Sequence, residues 1–233
     1  MPADESESGK EDSGAPGDGP GRGPDDGPDD GPDDGHGVLL VLAGTSGAGK
    51  GTIGAQLRES DPALNWSVSW TTRARRPNES EGVDYYFVTR EEFERLRDAN
   101  GFLEWFEVYG DLKGTPLQYV VDELTRGHDV MLEVDVQGAL AVKRALPEAL
   151  LVFVQAPSRA EQRRRLESRG SETEESIARR LERAESEERI GAEEFDAVVV
   201  NDDVGQATAQ VAAILAIRRA RGRSPHGDPP HGD

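Results

Sequence analysis

The stretch GTSGAGKGT, Gly44 to Thr52, has the residue types and spacing needed to hold a polyphosphate. Gly44, Gly47 and Gly49 let the backbone curl so that successive N–H groups turn inward, and Lys50 adds a point charge for the β- and γ-phosphates. The loop follows the apolar run VLLVLA (Val38–Ala43) and leads into TIGAQLRES, which has helical character, so it sits in the strand-loop-helix context that a Walker A loop requires. Gly51 stands where such loops usually place a serine or threonine, and Thr52 comes one residue later, so direct ligation of a metal ion by a loop hydroxyl is not expected.

A second group of residues suits a smaller anion. SVSWTTRARRPNESEGVDYYF (Ser67–Phe87) gathers Arg73, Arg75, Arg76 and Tyr85 in a chain of net charge −19. Guanidinium forks bind phosphate in a bidentate way and a phenol adds a neutral donor, so this cluster can hold a monophosphate dianion. Glu133 and Asp135 lie two apart in LEVDVQGA, and on a strand that spacing would aim both the same way, toward the carboxyl end of a parallel sheet where ligands collect. The segment from Ser158 to Ile190 is dense in arginine and glutamate, and Arg163 with Glu167 has the spacing of an ordinary helix-surface pair.

The elements that must position these residues follow from the apolar pattern. VLLVLA, VMLEV (Val130–Val134), LLVFVQ (Leu150–Gln155) and AVVV (Ala197–Val200) read as buried parallel strands, with helices between them. Helix starts are expected at Thr89 with Glu92 and at Ser158 with Glu161, both as capping boxes, and at Thr115 with Pro116 in the first turn; Gly101 and Gly127 are expected stops. The strand-like YYFV and FLEWFEVY carry polar residues among aromatics and predict a partly exposed insertion. Residues 1–37, rich in Gly, Pro and Asp with a tandem GPDD repeat, predict a disordered acidic tail, and residues 222–233 a loose one. Zero cysteines and four scattered histidines argue against a disulfide framework or structural zinc, and the acidic balance argues against general nucleic-acid binding. There is no stretch of membrane-spanning length and no apolar leader, so the expected location is the cytoplasm, with no membrane partner.

The phosphate loop, TTRxxR…E…DYYF, FLEW, LEVDVQGA, RLESRGSETEESIARRL and VVVNDD occur in the order found in guanylate kinases, which the chain resembles from about Val38 to Leu215. The resemblance implies an α/β fold: a P-loop nucleoside monophosphate kinase core with a parallel five-stranded sheet flanked by helices over residues 38–221. It also implies a mixed α+β GMP-binding insertion at about 66–122 and a helical lid at about 158–191. Gly44, Thr45, Ser46, Gly47, Ala48, Gly49, Lys50, Gly51 and Thr52 would line ATP, with Asn201 close to the adenine. Arg73, Arg76, Tyr85 and Glu79 would hold the GMP phosphate, and Ser69, Glu104 and Thr115 would contact the guanine. Guanine presents N1–H beside an exocyclic amine, so one carboxylate can accept both, which makes Glu104 the expected selector. Glu133 and Asp135 would sit near the ribose and metal-bound waters, and Arg165, Arg169 and Arg180 would join Lys50 and Arg73 around the transferring phosphoryl group. At Lys113, in GDLKGTP, relatives commonly carry a tyrosine that reaches the GMP phosphate; the lysine either replaces it or turns to solvent.

The activity implied is ATP + GMP to ADP + GDP with Mg²⁺, by a monomer or homodimer, through in-line attack that needs no catalytic base. Two alternatives stay open at the level of sequence: a guanylate kinase-like binding module without catalysis, and a related kinase acting on a ribose bisphosphate precursor. The intact Lys50 and its glycines speak against the first, and Glu104 with Thr115 against the second.

Overall fold

The computed structural model describes residues 36–77, 79–108, 110–168 and 173–222. Most of the two expected tails therefore lies outside the described residues, but their inner boundaries shift. The N–H of Gly37 donates to Leu124 O at 2.8 Å, so Gly37 already belongs to the fold, and Gly222 closes the last helix.

β1 (Leu39–Gly44) is buried from end to end, as a central strand covered on both faces must be. It pairs in parallel with β7 (Val130–Glu133) and with β8 (Leu150–Gln155), which in turn pairs with β9 (Ala197–Val200). A two-residue strand, β2 (Asn65–Trp66), adds to the far side of β7 and completes five parallel strands in the order β2-β7-β1-β8-β9. β2 was expected to open the insertion; its length is too short for any periodic signal, and its place is set by backbone bonds from Asn65 and Ser67 to Asp129 O and Met131 O.

Alternation along β1 divides the core. Leu40 and Leu42 face one side with Met131, Val152 and Val154, where α1 (Lys50–Ser60) contributes Ile53 and Leu57 and α7 (Val204–Gly222) contributes Val211 and Leu215. Leu39 and Val41 face the other with Leu132 and Leu151, under Val120 of α3 (Leu117–Thr125) and Val142 of α4 (Val136–Ala145). Arg219 of α7 ties three elements at their lower ends, donating to Asp61 after α1 at 2.7 Å and to Asp129 before β7 at 2.5 Å.

The insertion forms a second sheet in the order β4-β3-β6-β5, from β3 (Trp70–Thr71), β4 (Tyr86–Phe87), β5 (Phe102–Val108) and β6 (Asp111–Pro116). α2 (Arg90–Asp98) starts on the expected Thr89–Glu92 capping box and stacks Phe93 on Phe102 at 4.2 Å. Its left-handed stop residue is Asn100, with Gly101 one position later, whereas Gly127 ends α3 in the expected left-handed conformation. Two other caps differ from expectation. Ser158 accepts from Glu161 N, but the Glu161 carboxylate turns to Arg164 and Arg165 instead of closing the box. Thr115 does not cap α3, because its hydroxyl is committed across the sheet; Pro116 ends β6 and is itself the N-cap of α3, so the helix starts one residue later than expected.

The last helices before β9 are α5 (Arg159–Glu167) and α6 (Glu174–Glu194). α6 crosses β8 at Gly191, where an added Cβ would stand 2.4 Å from the Phe153 ring, a ring also held edge-on by Phe195. In an exposed helix Gly→Ala would add up to about 1 kcal/mol. Here overpacking of about 1–3 kcal/mol is expected to outweigh that gain, so Gly191→Ala should lower the melting temperature by several degrees. Thermal unfolding followed by circular dichroism checks it; an unchanged or higher midpoint would contradict this packing.

Candidate active site

The phosphate loop is shaped by close approach. At Gly44, φ is 146°, and a Cβ there would stand 1.9 Å from the Val154 carbonyl oxygen of β8. At Gly49, which caps α1 with φ at 91°, a Cβ would stand 2.3 Å from Asn201 Nδ2. Only glycine satisfies both the backbone and the space at these two points. The loop is thereby pressed between β8 and the end of β9, with its open side at the N-terminus of α1, where N–H groups lack intrahelical acceptors.

Side chains from distant segments converge on it. Lys50 Nζ donates to Gly44 O at 2.8 Å and Thr45 O at 3.2 Å. Asn201, 4% exposed, spends its amide nitrogen on Ala48 O at 2.8 Å, which leaves Oδ1 buried without a protein partner. Arg165 reaches Asn201 O at 2.9 Å and Ala48 O at 3.4 Å, and is held from behind by Glu161. Hydrogen bonds from Arg164 and then Arg165 hold the Glu161 carboxyl down at about 2. Arg180 donates to Ser46 Oγ at 2.6 Å. Thr45 Oγ1 is buried without a partner, and Thr52 lies in the first turn of α1. Arg169 lies outside the described residues.

In the second sheet, Glu104 of β5 and Thr115 of β6 are direct cross-strand partners, and a register irregularity between Phe102 and Glu104 accompanies the pairing. The Thr115 hydroxyl donates to Glu104 Oε1 at 2.6 Å, while Oε2 is buried without a partner. Glu104 is only 5% exposed, so it is not a solvated charge on an open strand face. Burial pushes its carboxyl up, against opposing pulls from the Thr115 hydrogen bond and the Lys113 ammonium. Ser69 is half-buried on the same sheet, where its carbonyl accepts from Tyr86 N.

The expected phosphate cluster gathers around Tyr85. The Arg73 guanidinium lies 5.6 Å from the ring centroid and the Lys113 ammonium 5.0 Å, so Lys113 packs on an aromatic face instead of turning to solvent. Glu79 bridges Arg73 at 2.7 Å and the Arg76 backbone N–H at 2.9 Å; the Arg76 side chain is exposed. Glu133 ends β7, one residue short of the expected end at Val134, and Asp135 does not continue the strand. It is the N-cap of α4 and accepts from Gly138 N at 2.8 Å, so its aim is set by capping geometry and not by strand alternation.

Three polar residues escaped the sequence reading. Gln162, 1% exposed, donates to Ser46 O at 2.8 Å. Glu187 on α6 has its carboxyl pushed up by burial, while Arg183 and Lys50 oppose that rise. Ser67 keeps a buried hydroxyl without a partner. Each lies in a segment whose charge or polarity is common on helix surfaces and loops, so composition carries no sign of burial; the SVS run beside the arginine cluster was the available hint for Ser67.

A glycine-rich loop feeding a helix N-terminus on a parallel sheet, with an arginine-bearing helix pair docked on the loop and a buried acid on a second sheet, defines a P-loop phosphotransferase. Residues 36–217 match the guanylate kinase family model. A guanylate kinase from Thermus thermophilus is 52% identical over 185 residues, covering 79% of this chain and 83% of that protein. One from Symbiobacterium thermophilum is 46% identical over 185 residues, covering 79% and 87%. The crystal structure of guanylate kinase from Anaplasma phagocytophilum superposes with a TM-score of 0.66 at 32% identity, covering 83% of this chain and 92% of that one. The chain belongs to the guanylate kinase family and is a nucleotide kinase of that family, with the divalent-metal requirement that such kinases share.

Because folding raises the Glu104 carboxyl above its ordinary value, ionising it costs stability. That cost is complete above the raised value and disappears as pH falls below the ordinary carboxylate range. Glu104→Gln should therefore raise the melting temperature of the ligand-free protein at about pH 8 and lose most of that advantage at about pH 4. Differential scanning calorimetry at the two pH values checks this; a pH-independent difference would contradict an ionised, buried Glu104.

Proposed function

We propose that this protein transfers the γ-phosphoryl group of ATP to GMP, giving ADP and GDP, in the purine nucleotide metabolism of the cytoplasm. The observation that carries the choice of acceptor is the buried Glu104 carboxylate, paired with Thr115 through one oxygen and left with the other uncommitted. The guanine N1–H and 2-amino group offer two adjacent donors to that acid, while adenine would bring an acceptor to it. Arg73, Arg76, Lys113 and Tyr85 take the GMP phosphate, with Glu79 holding Arg73 in place and Ser69 beside the base.

The phosphate loop, Gly44 to Thr52, wraps the ATP phosphates, and the uncommitted Oδ1 of Asn201 is suited to accept from the adenine amino group. An oxygen of the GMP phosphate attacks the γ-phosphorus in line, the P–O bond to ADP breaks, and charge spreads over the equatorial oxygens. Lys50, Arg165 and Arg180 neutralise that charge, and Arg169 falls in the segment that would bring a further guanidinium. Release of Lys50 from the loop carbonyls and of Arg180 from Ser46 accompanies nucleotide entry. The α5–α6 segment acts as the lid, whose closure excludes water that would otherwise take the phosphoryl group.

The residues at hand fit Mg²⁺ held mainly by phosphates and water. The oxygen donors Glu133 and Asp135 lie at the loop side of β7. Bound there, Mg²⁺ would supply positive charge that offsets the charge of the nucleotide phosphates.

A coupled ADP-release assay tests the reading with GMP, AMP, CMP and UMP as acceptors. GMP should be preferred by several orders of magnitude, and Lys50→Ala should lower kcat by at least about 10²-fold while leaving the melting temperature unchanged. Comparable turnover with AMP, or near-normal activity of Lys50→Ala, would remove the proposal.

A further inference from the structure

Gly51 is the residue at which the phosphate loop departs from the usual pattern, since the position ordinarily carries a hydroxyl that faces the metal ion of the bound nucleotide. Its surroundings are specific. A Cβ built on Gly51 would stand 3.5 Å from Glu133 Oε2 and 3.8 Å from Oε1, so both carboxylate oxygens lie over the bare backbone of the first turn of α1. Among the described residues no hydrogen bond or ion pair engages that carboxylate. The other acids described at the site differ: Asp135 caps α4, Glu104 accepts from Thr115, and Glu187 pairs with Arg183 at 3.3 Å.

We infer that Gly51 and Glu133 are a matched pair, in which the glycine leaves open the space over α1 and the glutamate, one methylene longer than an aspartate, brings its carboxylate there as the oxygen donor facing the nucleotide's metal ion or its waters. This rests on the phosphate-loop reading above. The physical reasons are reach and crowding. At 3.5 Å a methyl group would make ordinary contact with the acid, but a hydroxyl extended from it would compete with the metal for the same oxygens. With glycine in place, a shorter acid would withdraw toward β7 and leave that side of the metal with neither hydroxyl nor carboxylate. Serine at 51 and aspartate at 133 are thus alternatives to glycine and glutamate, each working only with its own partner.

The two positions therefore couple, and a double-mutant cycle reads the coupling directly. The probe is ADP binding by isothermal titration calorimetry, with Mg²⁺ and with EDTA, on the full chain and on Gly51→Ser, Glu133→Asp and the double variant. Each single change should remove about tenfold of the Mg²⁺-dependent gain in affinity, and the double variant should return to within about threefold of the native protein. Affinities in EDTA should agree across the set, because the loop backbone is unchanged. Gly51→Ala combined with Glu133→Asp must not recover, since it supplies bulk without a hydroxyl. Glu133→Gln, isosteric but uncharged, should lose the Mg²⁺ gain even if the Gly51 variants fail to fold.

Additive losses in the double variant, recovery by the alanine version, or a full Mg²⁺ gain in Glu133→Gln would each overturn the pairing. Failure of the native protein to bind ADP would instead remove the phosphate-loop reading beneath it.

Discussion

The constraint on which the site depends is the approach of Gly44 to the Val154 carbonyl and of Gly49 to the Asn201 amide. It presses the phosphate loop onto β8 and the end of β9, and so presents the outer carbonyls of the loop to whatever lies beyond. Ala48 O then receives Asn201 and Arg165, and Ser46 receives Gln162 and Arg180, so the α5–α6 segment is anchored to the loop it would serve. A side chain larger than hydrogen at either glycine would lift the loop and break four contacts from three separate elements together. The rest of the donor side follows from this one packing event.

The acceptor side is built on the opposite principle, a polar group kept short of satisfaction. A carboxylate that is buried and offered one hydroxyl costs more than it returns to the fold, because desolvation is complete while one oxygen has no donor. The second sheet accepts that cost through the cross-strand contact of Glu104 with Thr115 and through Lys113 on the Tyr85 ring nearby. A ligand with two adjacent N–H donors offsets it; one that presents an acceptor adds to it. On the proposed reading, selectivity comes from the uncommitted oxygen of Glu104 as much as from the contacts a base would make there.

Much of this was legible in the sequence, and for identifiable reasons. The central strands announce themselves as uninterrupted apolar runs, and the phosphate loop by glycine spacing ahead of a helical pattern. β2 is not legible because two residues carry no period, and a Thr-Pro pair ahead of a helix reads equally as a helix cap or as the end of a strand. Asp135 was placed on a strand by spacing alone, whereas its carboxylate serves the next helix. Gln162 and Glu187 gave no sign of burial, since polar residues on charged helices look solvent-exposed until the partner surface is known. The Gly51 departure was visible, but its connection to Glu133 depends on a distance between β7 and α1 that no local pattern encodes.

The most direct measurement of the central claim compares equilibrium binding of GMP, IMP and AMP to the native protein under one set of conditions. Hypoxanthine keeps N1–H and loses the 2-amino group, while adenine has neither donor where Glu104 waits. The account predicts a staircase: IMP weaker than GMP by about tenfold, for one lost charge-assisted hydrogen bond, and AMP weaker again by at least a further factor of about ten. Equal affinity for GMP and IMP, or AMP binding as well as IMP, would contradict the assignment of Glu104 as the group that reads the base.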